Sequence, residues 1–191
     1  MPMTDYQLAN SVAYALRTIT VTDPSSPTEG ANFNAAEHKV AHSGLMGSIL
    51  ARGEMRDEKS PDAQLELGQK TIAAQKGVCT HLAAAVAHRL IKLGMAGSKI
   101  EIMTTNKGHG YGHTFVAINR TGDPANIDSW GDECILVDIW WANQHFSSDS
   151  LPTGKAPANF GQGAFLLRDN GHFKSYLANF GNAMGVVTKF N

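Results

Sequence analysis

Gly77-Val78-Cys79-Thr80-His81-Leu82-Ala83-Ala84-Ala85-Val86-Ala87-His88-Arg89-Leu90-Ile91-Lys92-Leu93-Gly94 is the stretch on which the fold turns. Leu82, Ala85, Val86, Arg89, Leu90 and Leu93 follow a 3.6-residue period, and the alanines at 83 to 85 and 87 permit close packing. The spacing predicts a buried helix over 78–93, preceded by a break at Gly77 and ended by Gly94 as the C′ glycine. Downstream, Lys99 to Thr104 reads as a strand with Ile100 and Ile102 inward, and Asn106 to Gly112 as a glycine-rich turn. His113 to Asn119 is a second strand, with Phe115 and Ala117 on one face and Thr114, Val116 and Ile118 on the other. Arg120 to Gly131 is a polar loop, and Cys134 to Trp140 a third strand, apolar except for Asp138. A helix followed by antiparallel strands predicts an α+β fold, the central helix packed on a small sheet.

Outward from this centre, Asp5 to Arg17 reads as an amphipathic helix carrying Leu8, Val12, Ala15 and Leu16 on its inner face. Thr22 to Asn34 has loop chemistry, Ala35 to Leu50 reads as a second helix, and Gly53 to Pro61 as an exposed polar stretch. Ser60-Pro61-Asp62 offers an N-cap with proline at the first helical position, starting a helix towards Gln75. Ser147 to Gly163 reads as a long surface loop and Ala164 to Leu167 as one more short strand. There is no internal repeat. With 191 residues the expectation is one domain, residues 1–60 forming a helical N-terminal part and 70–145 the core of the site.

Sixteen basic and 17 acidic residues nearly cancel, and no run of either sign stands out, so nucleic-acid binding is not expected. No apolar stretch approaches the ~18 residues of a membrane span. Met1 to Leu8 lacks a basic segment followed by an apolar one, so no classical signal peptide is visible. Two cysteines, Cys79 and Cys134, do not make a disulfide scaffold. Each needs its own explanation.

Cys79 stands at the start of the central helix. There the helix dipole and unpaired backbone N–H groups favour thiolate, and the same N–H groups can stabilise an oxyanion. The plain alternative is a small buried hydrophobe, the reading that suits Cys134 inside its apolar strand. His113, opening a strand behind the Gly108–Gly112 run, is the candidate base, or else a strand-edge histidine bonded to a carbonyl. Asp138, a carboxylate inside an apolar run, is expensive to bury unless paired, and orienting the ring of His113 would offset that cost. Its alternative is an acid capping a turn. Gln75, Val78 and Trp140 are candidates for oxyanion or substrate contacts, against the simpler readings of a helix-end glutamine and core packing; Trp141 shares the last. Zinc held by Cys79, His81, His109 and His113 is the rival use of these side chains. The four-residue spacing of His109 and His113 shares a face only in a helix, which the glycines forbid, so no metal and no cofactor is expected.

Nucleophile at a helix start, base on a strand and acid on the next strand, in that chain order, resembles the papain-like and transglutaminase-like cysteine hydrolase superfamily. The residues that carry the resemblance are Gly77-Val78-Cys79-Thr80-His81-Leu82-Ala83, Gly112-His113-Thr114-Phe115-Val116-Ala117-Ile118, and Trp130-Gly131 with Val137-Asp138-Ile139-Trp140. Bacterial effector and toxin domains with Gly-x-Cys on a helix, His-x-Phe-Val on a strand and Asp before Trp are the most similar. The resemblance implies attack on a carboxamide: deamidation of a glutamine or asparagine in a protein substrate such as a host signalling protein, transglutamination, proteolysis, or amidase action on a cell-wall peptide. It also implies a product of the bacterial cytoplasm exported by a specialised secretion system. Where the family often has proline after the acid this chain has Ile139, which keeps Asp128 and Asp132 as alternative acids. A non-catalytic binding module on the same fold is the competing class. The oligomeric state is left open.

Overall fold

The computed structural model describes residues 2–21, 59–106, 112–140, 163–169 and 183–191. Thr4 opens the first helix, α1 (Asp5–Leu16): its hydroxyl accepts from the Gln7 N–H while the Gln7 side chain accepts from the Thr4 N–H, a reciprocal capping box. The buried face is Ala9, Val12, Ala13 and Leu16. Ala15, expected inward, is exposed, because the small side chains of Ala9 and Ala13 supply the close-packing face instead. After α1 a two-residue strand, β1 (Thr20–Val21), was not foreseen. It pairs in parallel with an equally short β2 (Lys76–Gly77), a contact too brief to leave a periodic trace.

Between them lies α2 (Pro61–Ala74). Ser60 caps it by accepting from the Ala63 N–H and Pro61 takes the first turn, as the sequence predicts. Gln75, left-handed at φ 53°, terminates it. The central helix is α3 (Cys79–Lys92), with Val78 at the N-cap, Leu93 at the C-cap and Gly94 left-handed at φ 94°. α2 and α3 approach at backbone distance: a Cβ on Gly68 would lie 2.3 Å from the Ala84 carbonyl oxygen. Gly68→Ala therefore forces two helices apart. We expect a loss of about 1–3 kcal/mol, the usual penalty of overpacking, despite the ~1 kcal/mol that alanine gains over glycine in a helix. A urea midpoint equal to or above the native one would show that the contact yields freely.

The sheet follows. β3 (Ile100–Asn106) and β4 (Gly112–Ile118) pair antiparallel in register from Ile100 opposite Ile118 to Asn106 opposite Gly112. That pairing carries β3 two residues beyond the expected end, while Lys99 belongs to a preceding 3₁₀ turn, Gly97–Lys99. β5 (Ile135–Val137), β6 (Ala164–Leu166) and β7 (Ala183–Lys189) complete a five-stranded antiparallel sheet of order β6-β5-β4-β3-β7. The third strand is shorter than expected. Pairing with β4 and β6 ends at Val137, Asp138 lies just past the strand, and Ile139 and Trp140 already have helical backbone. α3 packs on β4 and β3, and α1 packs on α3, β5 and β6. The chain is thus a mixed helix-and-strand fold with three helices and one small antiparallel sheet among the described residues. Both faces of β4 are buried, from His113 through Ile118.

Two polar clusters fasten the sheet. Lys99 donates to Asp5 Oδ2 at 2.8 Å and Asn119 to the same oxygen at 3.0 Å, tying α1 to the ends of β3 and β4. The Lys99 and Asn119 bonds hold the Asp5 carboxyl below its ordinary value. Buried Glu101 takes a two-pronged contact from Arg120, at 2.5 and 3.3 Å, with Lys189 at 3.3 Å. Burying such charges is tolerable only when they are paired. The expected helix Ala35–Leu50, the loop Thr22–Asn34 and Trp141 fall outside the described residues. So do the 53–58 part of the Gly53–Pro61 stretch, the 107–111 part of the glycine-rich turn and all of Ser147–Gly163 but its last residue. Among the described residues no helix is long and apolar enough to cross a membrane.

Candidate active site

Cys79 is the first residue of α3, so its N–H and those of the next residues precede the point where intrahelical bonds begin. The Leu82 N–H makes the first of these bonds, to the Val78 carbonyl at 3.0 Å. The turn before it is tightly built. A Cβ on Gly77 would sit 2.6 Å from the Cβ of His81, so only glycine lets the chain pass. His81, at the third helical position, folds back to accept the Val78 N–H on Nδ1 at 3.4 Å.

β4 carries His113 towards this turn, and its backbone is pinned as the N–H donates to Thr105 Oγ1 at 3.0 Å. The ring meets Asp138 through Nε2 and Oδ2 at 2.5 Å. Asp138 is fixed in turn by its own N–H, which donates to the Gly163 carbonyl at 2.8 Å, at the entry to β6. Cys79, His113 and Asp138 are 8%, 1% and 2% exposed, so Cys79 is the least buried of the three. Burial pushes the His113 imidazolium towards losing its proton. The Asp138 charge and hydrogen bond, followed by a hydrogen bond and charge interaction with Cys79, outweigh it and leave the pKa at about 10. The ring is therefore held as imidazolium at neutral pH, in hydrogen-bonding contact with the thiol. Trp140 lies against it at 4.9 Å between centroids, and Phe115 stacks at 6.0 Å. These rings keep water from the pair, which strengthens its electrostatics. The crevice beside Cys79 is lined by Leu82, Val86, Phe115, Val137 and Trp140, with Thr114 and Asp138 as polar members.

Of the three acids singled out in the sequence, Asp138 is the one bonded to His113; Asp128 and Asp132 are exposed in the loop that precedes β5. Trp140 belongs to the site. Gln75 does not support the oxyanion role: its amide nitrogen donates to the Ile72 carbonyl at 2.7 Å and its oxygen accepts from Thr18, closing off the end of α2. Val78 contributes through its backbone, but its N–H is given to His81, which takes it out of the set of oxyanion donors. Cys134 is fully buried, and that burial, against a lowering influence from Arg120, pushes its thiol up to about 12. Among the described residues no three His, Cys, Asp or Glu side chains form a metal-holding group; His109 lies outside them. Sequence reasoning missed His81 as a bonding group, and missed Thr80, whose hydroxyl meets that of Thr114 at 3.3 Å. The signal for His81 was its place three residues after the N-cap, where side chains reach back to the cap. Comparison with protein-family models, with curated proteins and with solved structures finds no match for this chain.

Proposed function

We propose that the chain is a thiol hydrolase of papain-like or transglutaminase-like type that acts on a carboxamide, with Cys79 as nucleophile, His113 as acid and base, and Asp138 holding the ring. The observation that carries this reading is the buried His113 ring, bonded on one side to a buried carboxylate and on the other to a thiol at a helix start. An imidazolium in contact with a thiol stabilises the thiolate. With Nε2 given to Asp138, Nδ1 is the nitrogen assigned to exchange a proton with the sulfur.

The thiolate attacks the amide carbon, and the N–H groups at the start of α3 take up the oxyanion charge. His113 passes its proton to the nitrogen as the C–N bond breaks, releasing ammonia or an amine and leaving a thioester. Water then attacks the thioester, His113 accepts its proton, and the C–S bond breaks to give the carboxylic acid and the Cys79 thiolate beside the regenerated imidazolium. A buried ring behind a nearly buried sulfur suits a target that reaches in on a stalk. This favours the side-chain amide of glutamine or asparagine in a protein over a main-chain bond, and hence a bacterial effector that deamidates its target. Proteolysis and cell-wall amidase action use the same steps.

The test is intact-mass analysis of candidate protein substrates incubated with the protein or with Cys79→Ala. A gain of about one dalton, amide to acid, that depends on Cys79 supports deamidation; a cut supports proteolysis, and an amine conjugate transamidation. No mass change in any arm while iodoacetamide ignores Cys79 would return the chain to the binding-module class.

A further inference from the structure

We infer that His81 is a positioning residue for the nucleophile. This rests on the reading of Cys79 given above and adds a second histidine to it. Cys79 lies between two points that His81 fixes. On the N-terminal side, the Val78 N–H donates to Nδ1 at 3.4 Å; on the C-terminal side, His81 is itself part of the first helical turn. His81 is 7% exposed, and its Cβ packs on Gly77 so closely that a Cβ on Gly77 would lie 2.6 Å from it. Gly77 in turn is held by its strand pairing with Val21. The turn that presents the sulfur is therefore clamped from outside the His113–Asp138 pair.

An Nδ1 that accepts requires the ring proton on Nε2, so His81 works as a neutral imidazole. It fills the place that glutamine or glutamate fills in a reciprocal cap at the third helical position. Valine has no side-chain acceptor to complete the other half, so the bond to His81 carries the side-chain part of this cap. Losing it frees the Val78 N–H and lets the turn carrying Cys79 swing. Displacements of about an ångström in such a group cost on the order of 10²-fold in rate.

The closing experiment follows iodoacetamide alkylation of the full chain by intact mass, with peptide mapping to locate the label, and thermal melting to check the fold. Native protein is expected to label quickly at Cys79 at neutral pH. His81→Ala is expected to slow that labelling by about 10- to 100-fold. His81→Gln, whose side chain can reach the Val78 N–H, is expected to recover most of the rate. Gly77→Ala, which drives a Cβ into His81, should slow labelling as His81→Ala does. Native-like labelling in His81→Ala overturns the inference, and so does equal impairment of the Ala and Gln variants when both are folded. If native Cys79 labels no faster than Cys134, the nucleophile reading itself fails, whatever the variants do.

Discussion

Cys79→Ala is expected to abolish turnover, by about 10⁴-fold or more, while the protein stays folded. In the proposed mechanism the Cys79 sulfur forms the thioester, and the neighbouring hydroxyl, Thr80, is bonded to Thr114 and cannot replace it. Its stability effect should be small, because the side chain is small and lies at the edge of the core with the greatest exposure of the three groups. Cys134→Ala supplies the contrast. That thiol is fully buried and pushed up to about 12, so it remains protonated at neutral pH and is unreactive. Removing it should cost about 1 kcal/mol through a small cavity and leave turnover alone. Turnover and melting temperature measured on both variants decide the assignment. An active Cys79→Ala beside an inactive Cys134→Ala would move the nucleophile to the start of β5.

What could be read from the sequence was whatever carried its own local physics. The central helix announced itself by its period and by glycines at both ends. The β3–β4 hairpin was legible from strand-like runs around a glycine cluster. Asp138 was legible as a charge that an apolar run cannot hold unaided, and the structure supplies the partner this required. Its setting past the strand end was not legible: seven residues from Cys134 to Trp140 look almost uniformly apolar, but only Ile135–Val137 find ladder partners on both sides. β7 escaped notice because Ala183–Lys189 includes Gly185 and pairs with a strand nearly half the chain away. The Glu101–Arg120–Lys189 cluster is likewise an agreement between distant positions, with no spacing that marks it. Gln75 and Val78 stand near Cys79 in sequence, yet nearness does not make an oxyanion donor. In each a local bond, to Ile72 or to His81, takes up the group concerned.

The electrostatics of His113 give the second large effect. Burial works against its proton, and the Asp138 charge and hydrogen bond, with smaller contributions from Cys79, overcome that and hold the pKa at about 10. Asp138→Asn preserves the shape and one hydrogen bond but removes that charge, so burial prevails and the ring gives up its proton at a much lower pH. In the native protein the imidazolium should persist across the neutral range, and the alkaline fall in kcat/KM should begin only as pH nears 10. In Asp138→Asn the fall should shift towards neutrality, with a rate loss at pH 7 of up to about 10⁴-fold, the limit known for the acid of a serine triad, and less for a thiol, which ionises more readily than a hydroxyl. Stability moves with the same sign. A histidine whose pKa is raised on folding stabilises the fold fully below its unfolded value near 6.5, and that contribution fades as pH rises through about 10. Asp138→Asn should therefore lose stability chiefly at neutral and lower pH, and converge on the native protein above about pH 10. Asp128→Asn and Asp132→Asn, on exposed loop positions, should match the native protein in both measurements. A native pH profile in Asp138→Asn, with a crippled Asp128→Asn or Asp132→Asn, would transfer the acid to the loop and leave the buried His113–Asp138 contact as a structural pair.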